Sequence, residues 1–310
     1  MNCIVTTTIS SPTEATIKFC NKSDWDVIIV GDLKTPHDEY KRLAEQFSNV
    51  RYLSPQYQEE KHKEVSDAIG WNCIGRRNIG FIEAYNNGAQ IIATVDDDNI
   101  PYKNWGEDVL VNKDIIIDSY SSKGNVFDPL SVTKNNHLWH RGFPIELLRE
   151  KNDIEYEGKV RRRVLVEASL WDGAPDVDAI ARMIYNPIVK YSDVTEPYCS
   201  SNISPFNSQN TLLSREVFPY YACPPHMGRM DDIWGGYILQ HYLSSSVVYS
   251  PATVYQDRNV QDTVTNLEDE VIGYRGTLGF INGLDHYDLL LPPEVIHFYD
   301  VYKKAFKQIH

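Results

Sequence analysis

The chain has 310 residues, enough to bury one large core or two modest ones, so a small disulfide-stapled fold is excluded. Hydrophobic residues at 42% and charged residues at 24% set aside collagen-like, low-complexity and wholly disordered classes. Lys and Arg number 30 against 43 Asp and Glu, and a net charge of −13 has the wrong sign for binding nucleic acid through its phosphates.

Cys3 to Ile9 reads as a strand, Trp25 to Val30 as a second that ends in Gly31-Asp32, and Val50 to Leu53 as a short third. Between the last two, Pro36 to Phe47 reads as a helix with Thr35 as N-cap and Pro36 at its first position. Arg77 to Asn87 carries Ile79, Phe81, Ile82 and Tyr85 at helical spacings and is stopped by Gly88. It leads into a strand of buried type, Gln90 to Val95, which runs into Asp96-Asp97-Asp98. Alternating strands and helices of this kind predict an α/β fold with parallel strands. Lys113 to Tyr198 is rich in turn residues and only Asp176 to Tyr185 is read there, as a helix. Asp232 to Tyr242 reads as a helix, Val247 to Tyr249 and Thr253 to Gln256 as strand fragments, and Pro292 to His310 as a closing helix with Val295, Phe298, Tyr302, Phe306 and Ile309 on one face.

The five cysteines are scattered without a C-x-x-C pair, which reads as reduced structural thiols. Met1 to Ile9 has no basic segment, and no stretch approaches the roughly eighteen apolar residues of a membrane span. The expectation is a cytoplasmic chain without a membrane span, or a domain whose anchor is absent.

Neither G-x-x-x-x-G-K-[ST] nor a strand followed by G-x-G-x-x-G is present, so P-loop and dinucleotide-binding readings fall. What remains is a strand that ends in three carboxylates, at the place where open α/β sheets bind ligands. Such groups repel one another unless a cation or ribose hydroxyls occupy the site. Their oxygen ligands suit Mg²⁺ or Mn²⁺, which would hold a diphosphate; a solvated turn is the alternative. Arg76 and Arg77, at the start of a helix, suit phosphate, and Asp32 suits a base or ribose.

Thr6-Thr7-Thr8, Gly31-Asp32, Arg76-Arg77-Asn78-Ile79-Gly80 and Asp96-Asp97-Asp98-Asn99, in that order, resemble the nucleotide-binding half of a GT-A glycosyltransferase with a D-x-D element. Trp139-His140-Arg141-Gly142-Phe143-Pro144-Ile145-Glu146, Asp172-Gly173-Ala174-Pro175-Asp176-Val177-Asp178, Asn207-Ser208-Gln209-Asn210-Thr211 and Asp231-Asp232-Ile233-Trp234-Gly235-Gly236-Tyr237 are similar to motifs of the STELLO-type glycosyltransferases. The resemblance runs from Thr6 to about Gly273. STELLO proteins are membrane proteins of the plant Golgi, and that localisation is not carried over.

The resemblance implies a GT-A domain over residues 1–260, with a nucleotide-binding half at 1–110 and an acceptor half at 111–260. Its Rossmann-like mixed sheet would be flanked by helices, and a C-terminal helical extension, 261–310, would pack on it. It implies a UDP-sugar donor with Mn²⁺ or Mg²⁺ and a glycan or small hydroxyl acceptor. Thr7, Thr8, Asp32, Arg76, Arg77, Asn78, Asp96 and Asp97 would bind the nucleotide. Asp96 would contact the ribose or the metal's water shell, and Asp98 would coordinate the metal. One of Asp231 and Asp232 would be the base that deprotonates the acceptor, and the other a helix cap.

Arg141-Gly142-Phe143-Pro144 and Gly228-Arg229-Met230-Asp231-Asp232-Ile233-Trp234 also resemble the UDP-arabinopyranose mutases, in which the matching arginine, here Arg141, takes up the sugar reversibly. Where those mutases have a histidine that many GT-A enzymes use as a metal ligand, this chain has Gln256. Either the metal has one protein ligand fewer or another group serves. His226 reads as a loop residue, and His137 and His140 receive no metal role. Trp71, Trp105, Trp139, Trp171 and Trp234 suit stacking on sugar or uracil, or a place in the core. Three readings follow: a metal-dependent glycosyltransferase, a UDP-sugar mutase working through Arg141, and a GT-A scaffold without turnover.

Overall fold

A computed structural model describes residues 1–258 and 261–307 of the chain. Among these residues, eleven strands lie in one mixed sheet: β1 (Asn2–Thr8), β2 (Asp26–Gly31), β3 (Val50–Leu53), β4 (Ile91–Val95), β5 (Asn99–Pro101), β6 (Asp114–Ser122), β7 (Ile154–Arg163), β8 (Val166–Gly173), β9 (Tyr198–Ser200), β10 (Asn210–Ser214) and β11 (Val247–Gln256). The helices are α1 (Glu14–Cys20), α2 (His37–Gln46), α3 (Pro55–Lys61), α4 (Lys63–Ile69), α5 (Arg77–Asn86), α6 (Ala179–Tyr185), α7 (Asp231–Tyr242), α8 (Thr263–Asn282), α9 (Tyr287–Leu290) and α10 (Pro293–Lys304). The expected α/β class, a mixed sheet flanked by helices, is what the chain forms.

The strand order is β3-β2-β1-β4-β10-β8-β11-β9-β6-β7, with β5 paired to β11. The first four strands are parallel, and β10 runs antiparallel to both β4 and β8. Chain order reverses between β1 and β4, so their carboxyl ends flank the crevice where such sheets bind ligands. Thr8, Asp32 and Asp96 fall at that edge because each ends or follows one of three parallel strands.

Strand alternation builds the two faces. Cys3, Val5, Ile28, Val30 and Ile92 point into one core, with Ile79, Phe81 and Ile82 of α5, while Ile4, Val27, Ile29, Ala93 and Val95 point into the other, with Phe19 of α1 and Tyr40 of α2. Each of these buried aliphatic side chains stabilises the fold by about 1.5–3 kcal/mol. Val295, Phe298 and Tyr302 of α10 join the first core, on the stripe expected from the sequence. That helix ends at Lys304, short of the expected His310, and Ile309 lies outside the described residues.

Several local expectations need correction. Thr35 does not cap α2: its hydroxyl accepts the Asp32 N–H at 2.7 Å and donates to the Thr8 carbonyl at 2.5 Å, which ties the ends of β1 and β2 together. The two late fragments are one strand, β11, whose register shifts between Ser250 and Val254. The twenty-residue α8 was not read from the sequence. All five indoles are used in packing: Trp105 against Phe19 and Trp25, Trp234 stacked on Phe280, Trp71 over the Arg76 guanidinium, and Trp139 and Trp171 as donors to Asp178 and Gln256.

The approach of α7 to the segment before it sets the height of the helix start. A Cβ on Gly235 would sit 1.9 Å from the Ala222 carbonyl oxygen, a contact with backbone that only glycine permits. Gly235→Ala is therefore expected to lower stability by about 1–3 kcal/mol or more, read as a lower urea midpoint; an unchanged midpoint would mean the segment yields freely.

Candidate active site

A cleft of about 540 Å³ opens at the carboxyl ends of β1, β2 and β4, lined by Thr7, Thr8, Asp32, Asp96, Asp97 and Asp98 together with Lys34, Asn72 and Cys73. The last three were not singled out for this role in the sequence, because they lie on connecting turns with no motif of their own. Asp32 accepts the backbone N–H groups of Leu33, Asn72 and Cys73 at 2.6, 2.9 and 3.1 Å, so it shapes the cleft wall. Thr7 donates to the Val30 carbonyl, and Thr8 donates to Asp97.

The two neighbouring arginines part company. Arg77, fully buried at the first position of α5, donates through Nη2 to Asp96 at 2.6 Å and through Nη1 to Thr94 Oγ1 and to the hydroxyl and carbonyl of Ser208 at 3.0, 2.8 and 2.6 Å. Burial works against its charge, but Asp96 overrides this and holds the guanidinium above its ordinary value. Arg76 is not brought to the cleft: it is buried against Gln58, Ser66 and the Gly70 carbonyl, beneath Trp71. Nor is Asn78, whose amide exchanges hydrogen bonds with the Cys223 backbone and so fixes the segment that leads to α7. Apart from the Arg77 Nε, the side-chain polar atoms of these three residues expected to bind nucleotide are engaged within the protein.

The carboxylates of the turn have separate environments. Asp96 is paired through one oxygen, and Asp97 is held by Thr8. Asp98 has no cation at ion-pair distance among the described residues; burial, with the charge of Asp96, pushes it up to about 7. Its side-chain partner among the described residues is the Gln256 amide, whose Nε2 donates to both oxygens at 3.3 and 3.4 Å. Gln256 stands there because β5 and β11 pair with Gln256 opposite Asn99. Trp171 donates to Gln256 Oε1 at 3.1 Å, which turns the amide N–H groups toward Asp98. Gln256 is thus a donor to the carboxylate.

The donors fit a hard divalent cation, since Asp98 and the second oxygen of Asp96 offer carboxylate oxygen to one cleft. Among the described residues there is no group of three His, Cys, Asp or Glu that could hold a metal. A cation at Asp96 and Asp98 would need further oxygen from its ligand or from water. His140 is occupied by the Arg141 carbonyl and Asn207, and His226 is exposed on a loop.

Behind the cleft, Asp232 accepts from the Ser208 N–H and hydroxyl at 2.9 and 3.0 Å and from Arg141 at 3.0 and 3.3 Å. Arg141 donates both to Asp232 and, through Nε and Nη2, to Asp176 at 2.9 and 3.0 Å, while Nη1 also reaches the Arg229 carbonyl. The left-handed turn at Gly142, φ +82°, is what brings Arg141 back toward α7. All five guanidinium N–H groups are used, and although burial opposes the charge, Asp176 and Asp232 hold Arg141 well above its ordinary value. The Arg141 guanidinium, expected from the mutase resemblance to take up a sugar, is thus fully engaged by acceptors of the protein itself.

Burial raises both members of the Asp231–Asp232 pair, but Arg141 overrides it at Asp232 and holds that carboxylate below its ordinary value. Asp231 is pushed up to about 7 by burial and by the charge of Asp232. Its Oδ1 accepts the Asp232 N–H at 2.8 Å; the N-cap of α7 is Met230, without a side-chain capping bond, so the cap expected of one of the two aspartates is not formed. Burial, and then the charges of Asp32 and Asp231, raise the Cys73 thiol, which lines the cleft. Asp176, Asn207 and Ser208 received no role in the sequence, although all three lie in the motifs that carried the resemblance.

No protein-family model matches the chain. It is similar to two proteins of Arabidopsis thaliana: 24% identical over 278 residues to the one named Probable glycosyltransferase STELLO2, covering 82% of this chain and 36% of that protein, and 25% identical to Probable glycosyltransferase STELLO1, covering 35% of it. The chain thus spans about a third of the length of these curated relatives. Among solved structures, it is similar to the glucosyl-3-phosphoglycerate synthase of Mycobacterium tuberculosis in complex with Mn²⁺, UDP and phosphoglyceric acid, at 14% identity and TM-score 0.46 over 91% of this chain and 78% of the other. The mannosyltransferase PcManGT of Pyrobaculum calidifontis, in complex with GDP-Man and Mn²⁺, aligns at 10% identity and TM-score 0.46 over 98% and 73%.

The raised Asp231 has a consequence for stability with a definite sign. Its proton is kept in the folded chain up to about pH 7 but lost from the unfolded chain near pH 4, so its contribution is full below pH 4 and declines as pH rises to about 7. Asp231→Asn keeps the Oδ1 acceptor and removes that dependence. Between pH 5 and pH 8 the wild type is expected to lose more unfolding free energy than the variant, by about 1.4 kcal/mol or more. Urea melts at the two pH values read this directly, and parallel losses would mean that Asp231 ionises normally.

Proposed function

We propose that the chain is a glycosyltransferase that moves a sugar from a nucleotide sugar, a UDP-sugar in this reading, to the hydroxyl of a glycan or small acceptor. The domain is read as GT-A over residues 1–260, with 261–310 as a helical extension packed on it. The observation that carries the reading is the division of the Asp231–Asp232 pair beside a carboxylate-lined cleft. Arg141 keeps one carboxylate ionised, and the other is poised near pH 7. The sequence similarity to the STELLO proteins supports the same class.

In the reaction, Asp231 takes the proton of the acceptor hydroxyl as that oxygen forms its bond to the anomeric carbon. The bond from the anomeric carbon to the β-phosphate oxygen breaks, and its electron pair leaves with UDP. This single displacement inverts the anomeric centre. Asp96 and Asp98 would hold a divalent cation, which when bound neutralises charge on the departing diphosphate. Gln256 keeps Asp98 facing the cleft, and Arg77 does the same for Asp96.

The test is to incubate the purified chain with a panel of UDP-sugars and Mn²⁺ and to follow free UDP. Release from one donor is expected to be lost with a chelator and in Asp98→Ala. Asp231→Asn should lower turnover by roughly 10²- to 10⁴-fold with UDP affinity unchanged. Since the base works deprotonated, the rate should fall as pH drops below about 7. A new UDP-sugar isomer without net UDP would indicate a mutase, and no metal-dependent UDP binding at all would leave the scaffold.

A further inference from the structure

Arg182 and Arg258 differ from the other arginines around the site. Arg141 is paired with Asp176 and Asp232, and Arg229 with Glu270 at 2.8 Å. Arg182, buried on α6, donates to the Pro175 carbonyl but has no carboxylate at ion-pair distance among the described residues. Arg258, two residues beyond Gln256, donates from Nη2 to Gln261 at 3.3 Å, and its Nε and Nη1 are buried without a hydrogen-bond partner among the described residues. Asp176, whose charge favours both guanidiniums, is already ion-paired with Arg141, and neither Arg182 nor Arg258 has a carboxylate at ion-pair distance among the described residues. Burial and the charge of Arg182 push Arg258 down to about 10, and burial lowers Arg182, in both cases against the opposing pull of Asp176. An uncompensated buried cation is costly unless something else neutralises it.

The place of the pair limits what that can be. Arg258 follows the strand end that holds Asp98, and Arg229 lies two residues before Asp231, so the cluster lies along the chain beside both the metal carboxylate and the base. None of the four arginines lines the cleft that contains Asp96, Asp97 and Asp98. Arg182 and the residues near it belong to the half of the chain read as the acceptor side.

We propose that Arg182 and Arg258 bind an anionic group, phosphate or carboxylate, carried by the acceptor. The planar guanidinium fork matches both oxyanions, and Arg258 is exposed enough to be reached. The acceptor is then a hydroxyl compound whose anion is anchored by the arginines while its hydroxyl faces Asp231. This rests on the glycosyl-transfer reading and adds the acceptor's chemical class to it.

Titration calorimetry on the whole chain, at constant ionic strength and with Mg²⁺, tests it with inorganic phosphate and acetate as probes. Phosphate or acetate is expected to bind while UDP is saturating. Affinity for that probe should fall tenfold or more in Arg258→Gln and in Arg182→Gln, with UDP affinity in Arg182→Gln changed less than twofold. Phosphate that competes with UDP in the wild type, an arm that needs no variant, would overturn the proposal by assigning the arginines to the donor diphosphate. UDP binding with no binding of either probe removes this inference alone. Failure of UDP to bind with Mg²⁺ removes the transferase reading and the acceptor assignment with it.

Discussion

A buried line of alternating charge runs through this protein, and the site is built on it. Asp96 meets Arg77, Arg77 meets Ser208, Ser208 meets Asp232, Asp232 meets Arg141, and Arg141 meets Asp176. Its members come from the turn after β4, the start of α5, the loop before β10, the start of α7 and two loops of the second half. Buried pairs of this kind are weak contributors to net stability, yet removing one member leaves a charge without a partner, at a cost of about 3–5 kcal/mol. The line therefore acts as a constraint of position: the carboxylate turn and α7 keep one relation because each end of the line needs the other.

That line also decides which carboxylates are left over for chemistry. Asp96 and Asp232 are spent on arginines, at least through one oxygen each, whereas their near neighbours in sequence, Asp98 and Asp231, have no arginine partner among the described residues and are both raised toward neutrality. In Asp231 and Asp232, adjacent residues with the same side chain thus acquire opposite tendencies. The difference comes from which way each side chain leaves the backbone, toward the buried cations or away from them.

Much of the first half was legible because its strands are short apolar runs that end in chemistry. The run to Val95 followed by three carboxylates located the cleft, and Gly31-Asp32 located its wall. Arg76 and Arg77 were not separable in one dimension: a step of about 100° around the helical path sends one toward α3 and α4 and the other toward β4. The second half was hidden for other reasons. β8 and β10 are buried on both faces, so they lack alternation, and they contain Glu167, Asp172 and Asn210, whose polarity reads as loop. α8 mixes glycine, acidic and apolar residues around its circumference and buries only Glu270, Gly273, Thr277 and Phe280, which leaves no apolar stripe to read. Its Glu270 is nevertheless the partner of Arg229, a pairing across 41 positions that no local pattern announces.

Gln256 shows how a departure from a family pattern can be structural in origin. A neutral amide beside Asp98 cannot offset the carboxylate's charge, and its acceptor oxygen already faces the Trp171 indole. Its donor side grips both carboxylate oxygens from behind, so Asp98 is oriented without being neutralised. With so few protein oxygens at hand, a cation at this turn would draw the rest of its shell from a diphosphate, and would be held most firmly when the nucleotide is in place. On the transferase reading, occupancy by metal would thereby be linked to occupancy by donor, since neither half of that coordination shell would be complete without the other.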